Sequence, residues 1–332
     1  MDDFAICPVS TYYQRILLPV SYSLVFLLGL ALNGALLWCV CGRTRRWSST
    51  VTYMSNLAVA DLLYVLTLPP LIISNAMGDL WPFGNILCKI VRLLFIVNLH
   101  CSMMLLTCVS VHRFLGVCFP IVAVRLRTKK LALVASGSVW ILATAELLPT
   151  LVFAHTGVIN NRTVCFEMTN PAGFKGYFPY GLFLIIVAFV IPFLVVITCY
   201  CSMLAVLYCR AADHVSNART ARMRNKSIYT LLVVFLMFVV CFVPYHIART
   251  VYLFVRVYLP EDCHLVNVVM ISLKVWEPAL SFNCCANPLL YFLGSGRHRQ
   301  QLRAWVWGRR RRKRVQPIVC LVDVGSTNRS GG

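Results

Sequence analysis

Acidic residues are scarce in this chain: its 332 residues include only 11 Asp and Glu against 31 Lys and Arg, and charged residues of both signs make up 13%. So little charge excludes an ordinary soluble domain, and 59% hydrophobic residues with a mean hydropathy of +0.76 make the bilayer the natural solvent. Neither H-E-x-x-H nor G-x-S-x-G occurs, and no span carries a catalytic pair of the expected types, so an intramembrane enzyme is not encoded. No internal repeat is visible, which speaks against a transporter built from duplicated halves. The connections between apolar runs are too short for an enzyme core.

What the sequence has in quantity is long apolar runs. Seven are near the roughly 20 residues a helix needs to cross the hydrocarbon, or exceed it. They run from Ile16 to Gly42, Val51 to Met77, Ile86 to Phe119, Leu131 to Ala154, Gly176 to Cys209, Ser227 to Val255 and Leu265 to Leu293. Backbone groups must be satisfied internally in lipid, so each run is predicted to be a helix. The expected architecture is an all-α membrane protein: residues 1–15 as an N-terminus, residues 16–293 as a seven-helix bundle, and residues 294–332 as an amphipathic helix with a basic tail.

The formal charge of +20 would suggest nucleic acid in a soluble protein, but the charge is one-sided. Most basic residues fall on alternate connections and the C-terminus: Arg43, Arg45 and Arg46; Arg113, Arg125, Arg127, Lys129 and Lys130; Arg210, Arg219, Arg222, Arg224 and Lys226; and ten from Arg297 onward. By the positive-inside rule that side is cytosolic. A multi-pass plasma-membrane protein with its N-terminus outside is therefore expected, with no nucleic-acid polymer as partner. Met1-Asp2-Asp3 offers no basic n-region or cleavage site, so no removable signal peptide is expected. Ser295 to Trp307 reads as an amphipathic helix on the inner leaflet, and Arg309 to Arg314 suits anionic lipid heads.

This sidedness sorts the 16 cysteines. Cys7, Cys88, Cys165 and Cys263 fall outside, where disulfides persist, and three pairings are open to them. The sequon at Asn161 shares a loop with Cys165 and is a candidate glycan acceptor.

Ionisable groups within spans are costly and mark function. Asp61 lies in mid-span, where Asn33, Ser102 and Asn283 could face it, forming a pocket fit for Na⁺ or water. Helix gluing by hydrogen bonds is the alternative. No cofactor is expected beyond an allosteric Na⁺, and no structural metal. At the outer ends of the spans, Arg92 lies one turn inside Cys88, His246 and Arg249 share a face, and Lys274 opens the seventh span. Together they would suit an anionic ligand carrying phosphate, which Arg grips bidentately. Any one of them could instead snorkel to the interface. Phe95 could stack on a base, and His100 lies two turns below Arg92 on a similar face.

An ordered series of motifs, one set per helix, then narrows the class: Leu57-Ala58-Val59-Ala60-Asp61, Cys88, His112-Arg113-Phe114, Trp140, Pro192 with Tyr200, Cys241-Phe242-Val243-Pro244, and Asn287-Pro288-Leu289-Leu290-Tyr291. This series resembles the rhodopsin-like (class A) G-protein-coupled receptors. Trp81-Pro82-Phe83-Gly84, Cys88-Lys89-Ile90-Val91-Arg92, the stretch from Leu106 to Gly116, and Pro244-Tyr245-His246-Ile247-Ala248-Arg249-Thr250 are similar to the purinergic nucleotide receptors.

The resemblance implies bridges Cys88 to Cys165 and Cys7 to Cys263. It also implies a heterotrimeric G protein as partner, arrestin as a further one, and coupling through Gq and phospholipase C. Its switch residues map to Arg113, Tyr200, Phe242, Pro244, Asn287, Pro288 and Tyr291. Several positions depart from the pattern. His112 replaces the usual acid, a replacement the purinergic receptors share; Phe242 stands where Trp is common; and Asn287 replaces Asp. Glu277 stands where nucleotide receptors carry Arg in Lys-x-x-Arg, so a carboxylate would repel phosphate or neutralise Arg249 or Lys274. A smaller anion, a lysophospholipid or a zwitterion meeting Glu277 stays open as ligand, as does a non-signalling decoy. A retinal pigment is excluded because Ser281 stands where its lysine would be.

Overall fold

The structure, a computed structural model, describes residues 14–43, 47–159, 161–212, 228–229 and 231–294. Among these are seven helices long and apolar enough to span a membrane: Arg15–Gly42, Ser49–Ala76, Gly84–Cys118, Lys129–Phe153, Pro171–Val206, Leu231–Tyr258 and Cys263–Leu289, called the first to seventh spans. They match the seven predicted runs to within a few residues. Cys7, the stretch from Ser295 to Trp307 and the basic run from Arg309 to Arg314 lie outside the described residues.

Capping accounts for several starts. Ser48, Thr128 and Asp262 accept hydrogen bonds from the backbone N–H three residues on, at 3.4, 3.2 and 3.0 Å, and so satisfy a donor with no helical partner. The second span bends at Leu66 and Thr67, ahead of Pro69 and Pro70, and the Thr67 hydroxyl donates to the Tyr64 carbonyl at 2.7 Å. Two further prolines act through π-turns: Ile186–Val190 widens the fifth span before Pro192, and Phe238–Phe242 widens the sixth before Pro244. Each proline removes a backbone donor and crowds the preceding turn, and a widened turn accommodates both effects. The kink expected at Pro244 thus takes the form of a π-turn that contains Phe242.

The third span is the axis of the bundle, the most buried of the seven, and the fourth is the least buried. That is why one helix can supply Arg92, Asn98, His100, Ser102 and Arg113 to separate sites. The fourth span instead turns Val134, Ile141 and Leu142 outward, an apolar face suited to lipid. It is pinned to the second span where Trp140 Nε1 donates to Asn56 Oδ1 at 3.0 Å.

One element departs from the all-α expectation. Strands β1 (Thr156–Ile159) and β2 (Arg162–Cys165) form an antiparallel hairpin between the fourth and fifth spans, with Thr156 opposite Cys165 and Ile159 opposite Arg162. Asn161 sits exposed at its tip with φ at 59°, a left-handed conformation that Asn tolerates. The hairpin is held over the bundle by the Cys88–Cys165 disulfide, with a Cα separation of 5.7 Å, and by the Trp81 N–H donating to the Thr163 carbonyl at 2.8 Å. Cys263 is also disulfide-bonded; its expected partner, Cys7, is not among the described residues.

Candidate ligand site at the disulfide end

The charged residues of the disulfide end come from four directions, and the hairpin brings the piece that spacing could not place. Glu167 follows Cys165 by two residues, so the disulfide fixes it above the bundle. It accepts a hydrogen bond from Lys274 Nζ, which also donates to Glu277 at 2.8 Å. Lys274 is thus held between two carboxylates, and Glu277, buried in the seventh span, takes the second of the two roles expected of it: it neutralises a cation. Burial alone would raise the Glu167 carboxyl, but Lys274 and Arg92 together hold it down at about 2. Asp79 lies in the same field, with Lys274, Arg92 and Arg15 in reach, but burial outweighs them and raises its carboxyl above the usual range.

The arginines differ from the lysine. Arg249 is 3% exposed, and its guanidinium donates to the hydroxyls of Tyr177 at 2.7 Å and Tyr245 at 3.3 Å, with no carboxylate bonded to it. Arg92 donates to the Cys165 carbonyl at 3.1 Å. Among the described residues, Nε of both arginines and both ring nitrogens of His246 are buried without a hydrogen-bond partner. His246 lies flat on Phe189, 4.2 Å between ring centres, so its ring is fixed while its nitrogens stay unsatisfied. Unpartnered buried donors of this kind suit an anion rich in acceptor oxygens. Acceptors stand among them too, Glu167 Oε1 and, in a neutral imidazole, one of the two His246 nitrogens.

Two expected members already have partners within the chain. Phe95 packs edge-on against Tyr64 at 5.6 Å and is buried in the core, so it presents no free face for a base to stack on. His100 Nδ1 lies 2.6 Å from Glu146 Oε1, a partner on the fourth span. Neither Glu146 nor Glu167 was among the site residues expected from the sequence. Glu146, a lone carboxylate within a span, was discoverable by the rule that singled out Asp61.

Asp61 is fully buried below this site. Asn98 donates to it at 2.9 Å and Asn287 at 3.0 and 3.3 Å. Asn98 was missed, and Asn287, assigned to the switch, is a direct partner of this carboxylate. Asn33 does not bond Asp61; it donates to the Cys284 and Gly29 carbonyls, each at 3.0 Å, tying the first span to the seventh. Among the described residues, four oxygens, Asn33 Oδ1, Ser102 Oγ, Asn283 Oδ1 and Asn287 Oδ1, are buried without a hydrogen-bond partner. Oxygens beside a carboxylate form a hard donor set, which fits Na⁺ or water.

At the opposite end, His112 accepts from Arg127 Nε at 3.2 Å, so the residue standing in for the usual acid engages the adjoining loop rather than Arg113. Arg113 Nε is buried with no hydrogen-bond partner among the described residues. Nearby, Tyr200 stacks on Phe235 at 4.9 Å beside a small cluster of Val117, Met203 and Leu231. Phe242 is buried against Phe238, and Tyr291 is buried in the core. Pro288 lies inside the last helical segment, Asn283–Gly294, which follows a break at Phe282.

A bundle of seven spans with a disulfide at one end and an arginine at the far end of the axial helix is the architecture of a seven-helix receptor. The family description "7 transmembrane receptor (rhodopsin family)" matches residues 32–291, and the chain belongs to this family. Within it, the chain is of the purinoceptor type. It is 41% identical to purinoceptor 4 of Rattus norvegicus over 89% of this chain and 81% of that protein. It is 38% identical to purinoceptor 3 of Gallus gallus over 90% of each, and 38% identical to purinoceptor 6 of Rattus norvegicus over 89% and 90%.

Proposed function

We propose that this chain is a plasma-membrane receptor for an extracellular nucleotide, with the disulfide end and the N-terminus outside and the Arg113 end facing a heterotrimeric G protein. The observation that carries this reading is Arg249: a buried guanidinium with phenolic partners, no bonded carboxylate and an unsatisfied Nε, near Arg92 and His246. A phosphate chain supplies the acceptors these groups lack. The purinoceptor names of the relatives favour a nucleotide over other anions.

Glu277 is compatible with this role because its charge is directed at Lys274, leaving Arg92 and Arg249 as the phosphate-binding cations. The same pairing favours, as the second reading, a smaller anion or a lysophospholipid, which needs fewer cations than a triphosphate. Binding shifts the receptor only in so far as the ligand prefers the active arrangement. Drawing Arg92 and Arg249 together contracts the disulfide end. The π-turn at Phe238–Phe242 lets the sixth span pivot, and Arg113 is exposed to the G protein. Gq and phospholipase C are the coupling proposed, with arrestin and anionic inner-leaflet lipids as further partners, Na⁺ at Asp61 as modulator and a glycan at Asn161.

The test is cytosolic Ca²⁺ in cells lacking their own nucleotide receptors, under purified UTP, ATP, UDP and ADP with ectonucleotidases blocked. A concentration-dependent rise in cells expressing the chain is expected. Silence with surface expression established overturns the proposal of a Gq-coupled nucleotide receptor.

A further inference from the structure

The phosphate-binding cations leave a second polar group in the bundle unused. His100 and Glu146 are both buried, with side chains 3% and 7% exposed, and their contact at 2.6 Å bridges the third and fourth spans. Their surroundings are polar and built. The Tyr180 hydroxyl donates to the Glu146 carbonyl at 3.1 Å and bonds the Thr150 hydroxyl at 2.7 Å. Tyr180 meets Tyr177 edge-on at 5.6 Å, and Tyr177 in turn accepts from Arg249. This wall of side chains runs from the third span round to the sixth and ends beside His246, whose two nitrogens are buried and unsatisfied.

The chemistry of the pair is directional. An ionised carboxylate has no hydrogen to give, so Nδ1 of His100 must donate to Glu146. In a neutral imidazole that fixes the tautomer and leaves Nε2 as an acceptor. We infer that His100, oriented by Glu146, is a base-reading subsite that accepts a hydrogen bond from a ring N–H of the ligand and so favours an imide such as uracil over adenine. This rests on the proposed nucleotide ligand and deepens it. Uracil N3–H is a donor and fits an acceptor, whereas adenine N1 is itself an acceptor and faces it lone pair to lone pair. His100 would touch the ligand; Glu146 is a positioning residue.

The experiment compares concentration-response curves for UTP, 3-methyl-UTP and ATP in cells expressing the wild type, Glu146→Gln, His100→Phe and Arg249→Ala, with surface expression measured for each. In the wild type, 3-methyl-UTP, which lacks the N3–H, is expected to be about tenfold weaker than UTP, the loss of one hydrogen bond. In His100→Phe that gap should close. Glu146→Gln should narrow the UTP-to-ATP ratio because a Gln amide both donates and accepts, so the tautomer is no longer fixed. Arg249→Ala should weaken all three agonists alike. Variants that change potency but leave both ratios at their wild-type values overturn the subsite while leaving the nucleotide reading intact. A surface-expressed wild type silent to UTP and ATP overturns that reading and the subsite with it.

Discussion

The two polar regions buried in this bundle leave opposite kinds of atom unsatisfied. Among the described residues, the atoms without partners around Asp61 are oxygens, from Asn33, Ser102, Asn283 and Asn287; at the disulfide end they are mostly nitrogens, from Arg92, Arg249 and His246. Both regions are enclosed by apolar helices, and in both an unpaired charge would be costly. What separates them is the sign of the fixed charge. Two amides, Asn98 and Asn287, donate to the carboxylate, and the Asn287 oxygen is left without a partner among the described residues, which suits a cation or water. The guanidiniums are bonded only to neutral oxygens, so donor capacity remains for an anion. The lysine breaks the pattern, since Glu167 and Glu277 satisfy it from within the chain.

The largest test of this contrast is Arg249→Ala. Removing two charge-assisted bonds to a phosphate is expected to weaken nucleotide potency by roughly a hundredfold, with surface expression unchanged. The check is the Ca²⁺ concentration-response curve beside surface labelling; loss of expression instead would make the residue structural.

A smaller effect is expected at the other region. Replacing Na⁺ by choline should change agonist affinity in the wild type by several-fold, and Asp61→Asn should abolish that dependence. Competition binding in the two media measures it. A variant as Na⁺-sensitive as the wild type would remove the cation from the Asp61 network.

The smallest effect concerns the lysine that breaks the pattern. Against the upward pull of burial, Lys274 and Arg92 depress the Glu167 carboxyl from 4.5 to about 2, so its bridge contributes stability above pH 4.5 and loses it as pH falls toward 2. The difference in thermal unfolding temperature between the solubilised wild type and Glu167→Gln should therefore stay constant from pH 7 to 5 and shrink below 4.5. A difference that already shrinks between pH 7 and 5 would mean the bridge is not what Glu167 contributes.

Much of this was legible before any coordinates. Chain order and hydropathy located all seven spans because a bilayer imposes one length and one solvent on every helix. The cost of burying charge singled out Asp61, Arg92, Arg249 and Lys274. Partners were harder to see. Lys274 and Glu167 are 107 residues apart, His100 and Glu146 are 46 apart, and Asn287 is 226 from Asp61. Phe95 shows the converse error: its spacing from Arg92 was right for a shared face, yet its ring was taken up by Tyr64.

The sequence by itself determined the solvent, the number of spans, the sidedness of charge and the receptor class, because each follows from composition and order along one dimension. Only the tertiary structure decided which charge meets which. A buried ion is defined by its nearest partner, and the approach of Glu167 to Lys274 depends on a hairpin that the Cys88–Cys165 bridge fastens over the bundle. The same reason explains Glu277. Its place in the sequence left it either repelling phosphate or neutralising Arg249 or Lys274, and the 2.8 Å contact with Lys274 decided for the second.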